Sequence, residues 1–412
     1  MSTAAVAGGL ESATAYRARA EGRLYDAIDA WRAGLLEAPD EWRLALELKH
    51  DLKAAWHYPD SDPQFRRAAR SLPDAEWLAH YIALYAYHGT DLATLEARSA
   101  ALLQRMPGHA PLHALRGDVA RQLRDWEVAE QAFAQAAALD PAHAEYGPKR
   151  DAAVRYRALS QYLARSAPGG EIFSMLVVNL DRNTERWGEI GRQFASCAAP
   201  LARVPGVEGS RLIPAAVRRL TGRTDAPRGT LGCFLSHAAA WQAVVDQRLA
   251  QALVVEDDVI PLVELPARAG PLGLPDRYDV CFVNDRLEPR GTGHIPTAQS
   301  LAAVMRAFHP EDNAPGGDGY FVSQVGARTL LAWVAEDGFA EDVDWRLLAY
   351  GLTEADIAAL PPGHARTHLH ELLPLIGRAE RLRAFVLHPA LIRTVGVSSD
   401  REDQNRLAEG RR

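Results

Sequence analysis

Cysteine is scarce in this chain of 412 residues: Cys197, Cys233 and Cys281 are the full set, and no two stand in a C-x-x-C pair. An odd, sparse set argues against a disulfide framework and fits a reducing cytoplasm. Long apolar runs are also absent. None approaches the roughly 20 residues that a membrane-spanning helix needs. Met1–Gly9 has no basic segment leading into an apolar core, so no secretory signal is evident. There is no basic excess either: the net charge of −7 argues against broad binding to nucleic acid or anionic membranes. Neither a P-loop nor a G-x-G-x-x-G fingerprint occurs, which argues against kinase-like NTPases and dinucleotide dehydrogenases. What is present is ordinary for a soluble globular protein, with 48% hydrophobic and 24% charged residues. The expectation is a cytoplasmic protein with no membrane span, long enough for two domains.

Glycine marks where the chain divides. Residues 1–165 hold 8 of the 31 glycines, and the remainder hold the other 23. The first part is rich in alanine, leucine and arginine, which suits helices. The second alternates apolar runs with Gly/Pro turns, which suits α/β structure. Pro39, Pro73, Pro107 and Pro141 are each 34 residues apart, the period of the tetratricopeptide repeat. Proline ends helices because it lacks an N–H and disfavours helix in the residue before it. The last unit is the clearest, with Gly117, Ala129, Phe133, Ala136 and Pro141, and its small residues fall where helices must approach closely. Aromatics such as Trp31, Trp42, Trp56, Trp77, Tyr81, Tyr85 and Trp126 read as repeat core. Such an array stacks into a curved surface suited to a peptide or partner protein. Pro168-Gly169-Gly170 marks the linker. The expected architecture is an N-terminal all-α helical repeat array over 1–167 and a C-terminal α/β domain over 171–412.

Within the second part, Ala252–Val255 reads as a buried parallel strand, and Glu256-Asp257-Asp258 follows it directly. Three adjacent carboxylates repel one another and are costly to desolvate. A divalent cation resolves that conflict, and ligands of open α/β sheets bind at the carboxyl ends of strands. A solvated acidic turn is the alternative. Ile172–Leu180 reads as the first buried strand, followed by a helical segment. Arg182 and Arg186, four apart, would share one helix face and suit a nucleotide phosphate. The plainer reading is a helix start capped by Asp181 or Asn183. Gly229–Trp241 carries glycines that permit close backbone approach, with an alanine-rich helix after it. Adjacent Ser236 and His237 would point about 100° apart on a helix and lie outside any G-x-S-x-G elbow, which disfavours serine catalysis. Cys233 reads as a small buried residue.

Taken together these pieces carry a resemblance. Asn179-Leu180-Asp181-Arg182 with Arg186, then Gly229-x-x-Gly232-Cys233-x-x-Ser236-His237, then Val255-Glu256-Asp257-Asp258-Val259 resemble glycosyltransferase family 25. The resemblance continues through Gly317-x-Gly319-Tyr320-x-x-Ser323-x-x-Gly326-Ala327, Val343-Asp344-Trp345, Pro389-x-Leu391-Ile392 and Ser398-Ser399-Asp400, in the family's order over most of 172–400. It implies a GT-A (Rossmann-like) fold, a UDP-sugar donor and Mn²⁺ or Mg²⁺. The acidic triplet is then the counterpart of the DxD motif. By resemblance Asp258 is the metal ligand, Glu256 reaches the metal, its water or the ribose, and Asp257 turns to neighbouring backbone. Asn179, Leu180, Arg182, Arg186, Gly232, Ser236 and His237 join Glu256 and Asp257 around the nucleotide sugar, with His237 orienting a loop. His388 is the candidate late histidine ligand.

The resemblance further implies inversion, which needs a carboxylate base on the acceptor hydroxyl. Asp344 is that candidate, with a helix cap as its structural alternative. Asp318, Glu341 and Asp342 are rivals, and Asp318 departs from the small or hydroxyl residue the family more often carries there. His368 and His370 read as structural, and His309-Pro310 falls near the acceptor. The implied function is transfer of a hexose, galactose by family default, to a hydroxyl of a protein, peptide or saccharide acceptor. The repeat groove would recruit the acceptor or a partner protein. A catalytically inactive scaffold and a nucleotidyl transferase are the rival readings.

Overall fold

The computed structural model describes residues 3–55, 57, 59, 62–84, 92–287, 293–307, 316–376, 378–394 and 401, excepting the side chains of 3–10 and 82–84. Trp56, Tyr85, His309, Pro310 and Ser398-Ser399-Asp400 lie outside the described residues. Two compact units meet in sequence between Val154 and Arg155.

The first unit is helical. It comprises α1 (Thr3–Ala20), α2 (Leu24–Glu37), α3 (Trp42–Ala54), α4 (Pro63–Ala68), α5 (Asp74–Leu84), α6 (Leu92–Arg105), α7 (Ala110–Gln122), α8 (Trp126–Leu139) and the start of α9 (Tyr146–Arg165). Buried residues recur at helical spacing; in α2 they are Ala27, Ile28, Trp31 and Leu35. Pro39, Pro73, Pro107 and Pro141 each fall between helices, as their missing N–H dictates. Side-chain caps start several helices. The Asp62 carboxylate accepts from Gln64 N and Phe65 N at 3.0 Å each, and Asp125 accepts from Val128 N at 3.1 Å. A Cβ at Gly117 would lie 2.6 Å from the Phe133 ring, so α7 and α8 pack as closely as they do because that position has no side chain.

The second unit is α/β. Its elements are β1 (Ser174–Asn179), α10 (Thr184–Gln193), β2 (Leu201–Pro205), α11 (Pro214–Thr221), α12 (Arg228–Asp246), β3 (Gln251–Glu256), β4 (Val259–Pro261), β5 (Val280–Phe282), β6 (Thr297–Ser300), α13 (Leu301–Arg306), β7 (Gly319–Ser323), α14 (Gln324–Asp337), α15 (Val343–Gly351), α16 (Glu354–Ala358), α17 (His364–Leu372), β8 (Ala384–His388) and β9 (Ile392–Thr394). Seven strands form one mixed sheet in the order β2-β1-β3-β7-β5-β8-β6, and β4 pairs with β9. Ala252 to Val255 of β3 are fully buried, because β3 lies between β1 and β7 with its side chains covered. That explains an uninterrupted apolar run in place of alternation.

Strands β1, β3, β5 and β8 run in one direction and β7 runs against them. One sheet edge therefore gathers the ends of β1, β3, β5 and β8 and the start of β7. The chain goes from β1 to β2 on one side and returns to β3 on the other. The gap outside β1 and β3 is a topological switch point, where α/β sheets bind ligands.

Two local expectations are corrected. The alanine-rich helix does not follow the glycine-bearing stretch but contains it, because α12 already starts at Arg228 and includes all of Gly229–Trp241. Its glycine serves helix-to-loop contact: a Cβ at Gly232 would lie 2.7 Å from Val207 O and 2.8 Å from Gly209 N. Arg182 and Arg186 do not share a helix face, because α10 begins only at Thr184.

Candidate active site

Behind β1, Asn179 ties three segments together. Its Nδ2 donates to Asn183 O at 3.1 Å and to Asp257 Oδ2 at 2.6 Å, and its Oδ1 accepts from Arg203 Nε at 2.7 Å. Arg186, in the first turn of α10, donates to Asp257 Oδ1 at 3.2 Å. Asp257 thus turns to the side chains of Asn179 and Arg186, not to neighbouring backbone as expected. Arg182 pairs with Glu208. Leu180 is buried beside Gly206, where a Cβ would lie 3.1 Å from its Cδ2. Ser236 is structural in its contacts: its Oγ donates to Gly232 O and accepts from Val207 N, both at 2.7 Å.

His237 is fully buried and joins a chain of hydrogen bonds. Trp241 Nε1 donates to Tyr320 Oη at 2.8 Å, Tyr320 Oη meets His237 Nδ1 at 2.9 Å, and His237 Nε2 meets Glu256 Oε1 at 3.3 Å. An indole N–H only donates. With the tyrosine hydrogen assigned to Nδ1, Nε2–H faces Glu256; the hydroxyl's second lone pair also allows the reverse, a hydrogen on Nδ1. Burial opposes the Glu256 charge, yet the hydrogen bond and field of His237, with Arg401 and Arg286 beyond, hold its carboxyl down at about 2. Cys233 Sγ lies 3.8 Å from Glu256 Oε1, and burial followed by Glu256 pushes the thiol well up. Cys233, His237 and Glu256 offer ligand atoms within 4.8 Å of one another. Their hydrogen bonds already account for that closeness.

The neighbouring acids are less well served. Asp258 Oδ1 is buried with no hydrogen-bond partner among the described residues. Burial first, then the charge of Glu256, pushes the Asp258 carboxyl up to about 8. Asp318, only 3% exposed, sits at the start of β7. Antiparallel pairing brings it beside Glu256, whose N donates to Asp318 O at 3.2 Å. Its Oδ2 accepts from Thr394 Oγ1 and lies 3.3 Å from Arg286 Nε, while its Oδ1 has no partner among the described residues. Burial, opposed by Arg286, pushes the Asp318 carboxyl up.

Asp344 Oδ1 accepts from Gly317 N at 2.6 Å. Burial and then Asp342 push its carboxyl well above the usual range. The helix-cap alternative for Asp344 is not what the structure shows: Asp342 caps α15, accepting from Asp344 N at 3.3 Å, and also pairs with Arg401. Gly317 is glycine for a reason of space, since a Cβ there would lie 2.6 Å from Asp344 Oδ1 and 3.7 Å from His237 Cε1.

Glu256, Asp258, Asp318 and Asp344 thus converge on one sheet edge, coupled electrostatically. His388 ends β8 at the same edge, but three inter-strand steps from β3, roughly 14 Å at the backbone. It is not among the clustered ligand atoms. Arg286 and Arg401 were not foreseen. Burial opposes the Arg286 charge, and Asp318, Asp344, Glu256 and Asp258 more than offset it. Arg286 had a signal in the polar Asn284-Asp285-Arg286 behind the apolar Val280–Val283, the same signal that marked the acidic triplet. Arg401 had none.

Four acids thus gather at the switch point of a mixed α/β sheet, where such sheets bind ligands. Comparison with known proteins sharpens this. Residues 173–264 match the family model described as glycosyltransferase family 25 (LPS biosynthesis protein). A "Glycosyltransferase 25 family member" of Drosophila melanogaster is 32% identical over 180 residues, covering 38% of this chain and 27% of that protein. Human "Procollagen galactosyltransferase 2" is 34% identical over 100 residues, covering 22% of this chain and 16% of its own length. A bovine "Probable inactive glycosyltransferase 25 family member 3" is 47% identical over 51 residues, covering 12% and 8%. The chain therefore spans about a quarter or less of these relatives' length. The comparisons support a glycosyltransferase family 25 domain in the α/β unit. No helix among the described residues is long and apolar enough to cross a membrane.

Proposed function

We propose that the α/β unit is an inverting, metal-dependent glycosyltransferase that moves a hexose, galactose first, from a UDP-sugar to an acceptor hydroxyl. The observation that carries this reading is the buried, unpartnered Oδ1 of Asp258 at the switch point of the sheet. A carboxylate left without a partner among other acids fits a hard divalent cation, Mn²⁺ or Mg²⁺, which prefers oxygen ligands. Asp258 and Glu256 would hold it. When bound, the ion neutralises charge on the departing diphosphate.

The chain's own residues do the rest. Asn179 and Arg186 hold Asp257 aside, so Asp258 is the free acid of the triplet. His237 occupies one oxygen of Glu256 and leaves the other for the ligand. Asp344 takes the acceptor proton as the hydroxyl oxygen bonds to the anomeric carbon. The bond from that carbon to the diphosphate oxygen breaks on the opposite face, and its electron pair leaves with UDP. Burial and neighbouring acids raise the proton affinity of Asp344, which suits a base. Asp318, linked to Arg286 and Thr394, is the second candidate.

For the helical unit we infer a tetratricopeptide-like array that recruits a protein or peptide acceptor or a partner. The support is the run of four prolines at inter-helix turns and the Gly117–Phe133 contact. An inactive domain in a binding scaffold is the second reading, favoured by the relative whose name says "probable inactive". UDP release from a panel of UDP-sugars, with Mn²⁺ or with EDTA, separates the two. Release that needs metal and is lost in Asp258→Ala supports the transferase. Metal-independent release sinks the metal role, and failure to bind any nucleotide sugar favours the scaffold.

A further inference from the structure

A cavity of about 260 Å³ lies beside the α15 N-terminus, lined among others by Arg223, Thr230, Phe339, Glu341 and Trp345. We propose that it is the acceptor subsite and that it takes one pyranose ring of a saccharide. This rests on the transferase reading above and adds to it the class of acceptor.

Position is the first argument. Thr230, Cys233 and His237 fall at i, i+3 and i+7 on one face of α12. Cys233 and His237 touch Glu256, so the cavity lies one helical turn from the acidic edge. Its Asp342 and Trp345 walls flank Asp344 in sequence, on the same turn of α15.

Backbone strain is the second. Glu341 adopts φ 70°, a left-handed conformation that a glutamate rarely takes. Its carboxylate lies in the field of Arg223, and it lines the cavity. Strain of this kind persists where function needs a side chain placed.

Chemistry is the third. Trp345 and Phe339 supply apolar ring surface, and Glu341 and Arg223 supply an acceptor and a forked donor. Arg223 pairs with Asp225 at 3.1 Å on an exposed rim, a bond weak enough to exchange for a ligand. Pockets for drug-sized ligands start near about 300 Å³, so this one suits a single ring. Convergent polar groups around such a ring match hydroxyls pointing several ways. An extended peptide uses a sheet edge or a long groove instead.

The test uses the full-length protein with methyl β-D-galactoside and methyl β-D-glucoside as acceptor probes, and Glu341→Gly as the variant. Glycine relieves the left-handed strain, so the variant's Tm holds or rises, which rules out misfolding as the cause of any loss. The expected result is at least a tenfold rise in acceptor KM. Donor hydrolysis without acceptor, measured beside it, reports the donor site separately. An unchanged acceptor KM, or use of a hydroxyl-bearing peptide with neither glycoside, overturns the proposal. If wild type shows no release from any UDP-sugar, the transferase reading fails by itself. Saturation-transfer NMR with the same glycosides then decides the cavity. Signal in wild type that is lost in Glu341→Gly supports a sugar site, and no signal in wild type overturns it.

Discussion

Asp51 is buried and Asp258 is half-buried with its Oδ1 withdrawn from water, and the two units treat these carboxylates in opposite ways. In the helical unit Asp51 accepts from Trp31 Nε1 at 2.8 Å and pairs with Arg19 Nε at 2.7 Å. Asp62 caps α4 and pairs with Arg32 at 2.7 Å. Asp118 meets Arg121 at 2.7 Å and Lys149 at 3.0 Å. Every one of these acids faces a cation. At the sheet edge, Asp258, Asp318 and Asp344 crowd around Glu256 and all three carboxyls are pushed up. Paired acids fix which helices pack together. Crowded acids store a charge conflict that a ligand can resolve.

The sharpest way to break this comparison is to neutralise the crowded acid. Asp258→Asn is expected to cut UDP release about 10³-fold, roughly 4 kcal/mol in the barrier, while the metal-free Tm holds or rises because a buried charge is gone. Retained release would place Asp258 with the structural acids. The reverse substitution follows. Asp51→Ala leaves the buried Trp31 N–H without its acceptor and Arg19 with Glu47 alone, which costs about 2 kcal/mol of stability. Urea unfolding followed by circular dichroism reads that loss, and donor hydrolysis by the α/β unit should survive it. A Tm insensitive to Asp51→Ala would erase the distinction between the units.

Much of this contrast was legible in residues, and some was not. The run Ala252–Val255 foretold β3 because a strand covered on both faces has no polar side to alternate with. The proline spacing foretold turns because proline cannot continue a helix. The acidic triplet pointed to the edge, but its internal division of labour was hidden. Asp257 depends on Asn179, 78 positions away, and nothing local announces such a pairing. The alanine-rich helix was expected only after the glycine-bearing stretch, because glycine disfavours helix by about 1 kcal/mol. Tertiary contact between α12 and the Val207–Gly209 segment overrides that preference. Asp342 as the cap of α15, in place of Asp344, turned on a shift of two residues that only geometry resolves. Arg401 is drawn to Asp342 from 59 positions away.

A smaller effect follows from proton linkage. Asp258 has an ordinary carboxyl value of 3.8 when unfolded and about 8 when folded. The folded protein then binds this proton more tightly than the unfolded chain. Stability from this group is full below about pH 4 and is lost as pH rises through about 8. The metal-free Tm should fall between about pH 5 and about pH 9. A divalent cation should remove most of the fall. Asp258→Asn should flatten it in part, with Asp318 and Asp344 supplying the remainder. A metal-free Tm that climbs across this window would contradict the raised value.

The smallest effect tests whether Glu256 belongs with the paired acids or the crowded ones. It sits among the crowded group, yet His237 holds its carboxyl down, as a paired acid would be held. Tyr320 is the hinge of that arrangement, because its hydroxyl accepts from Trp241 and meets His237 Nδ1. Tyr320→Phe keeps the ring and removes the hydroxyl, at a cost of about 1 kcal/mol for the lost hydrogen bonds. His237 is then free to carry its proton on Nδ1 and face Glu256 with a bare Nε2. The Glu256 carboxyl should rise toward its ordinary value of 4.5. A group whose depressed value rises is protonated at higher pH, so the acid limb of UDP release should move upward. If the limb stays in place while stability drops, the relay packs the core and does nothing for Glu256. If the limb moves, the Glu256 carboxyl is held below its ordinary value through His237, whose ring orientation depends on the indole of Trp241 and the phenol of Tyr320.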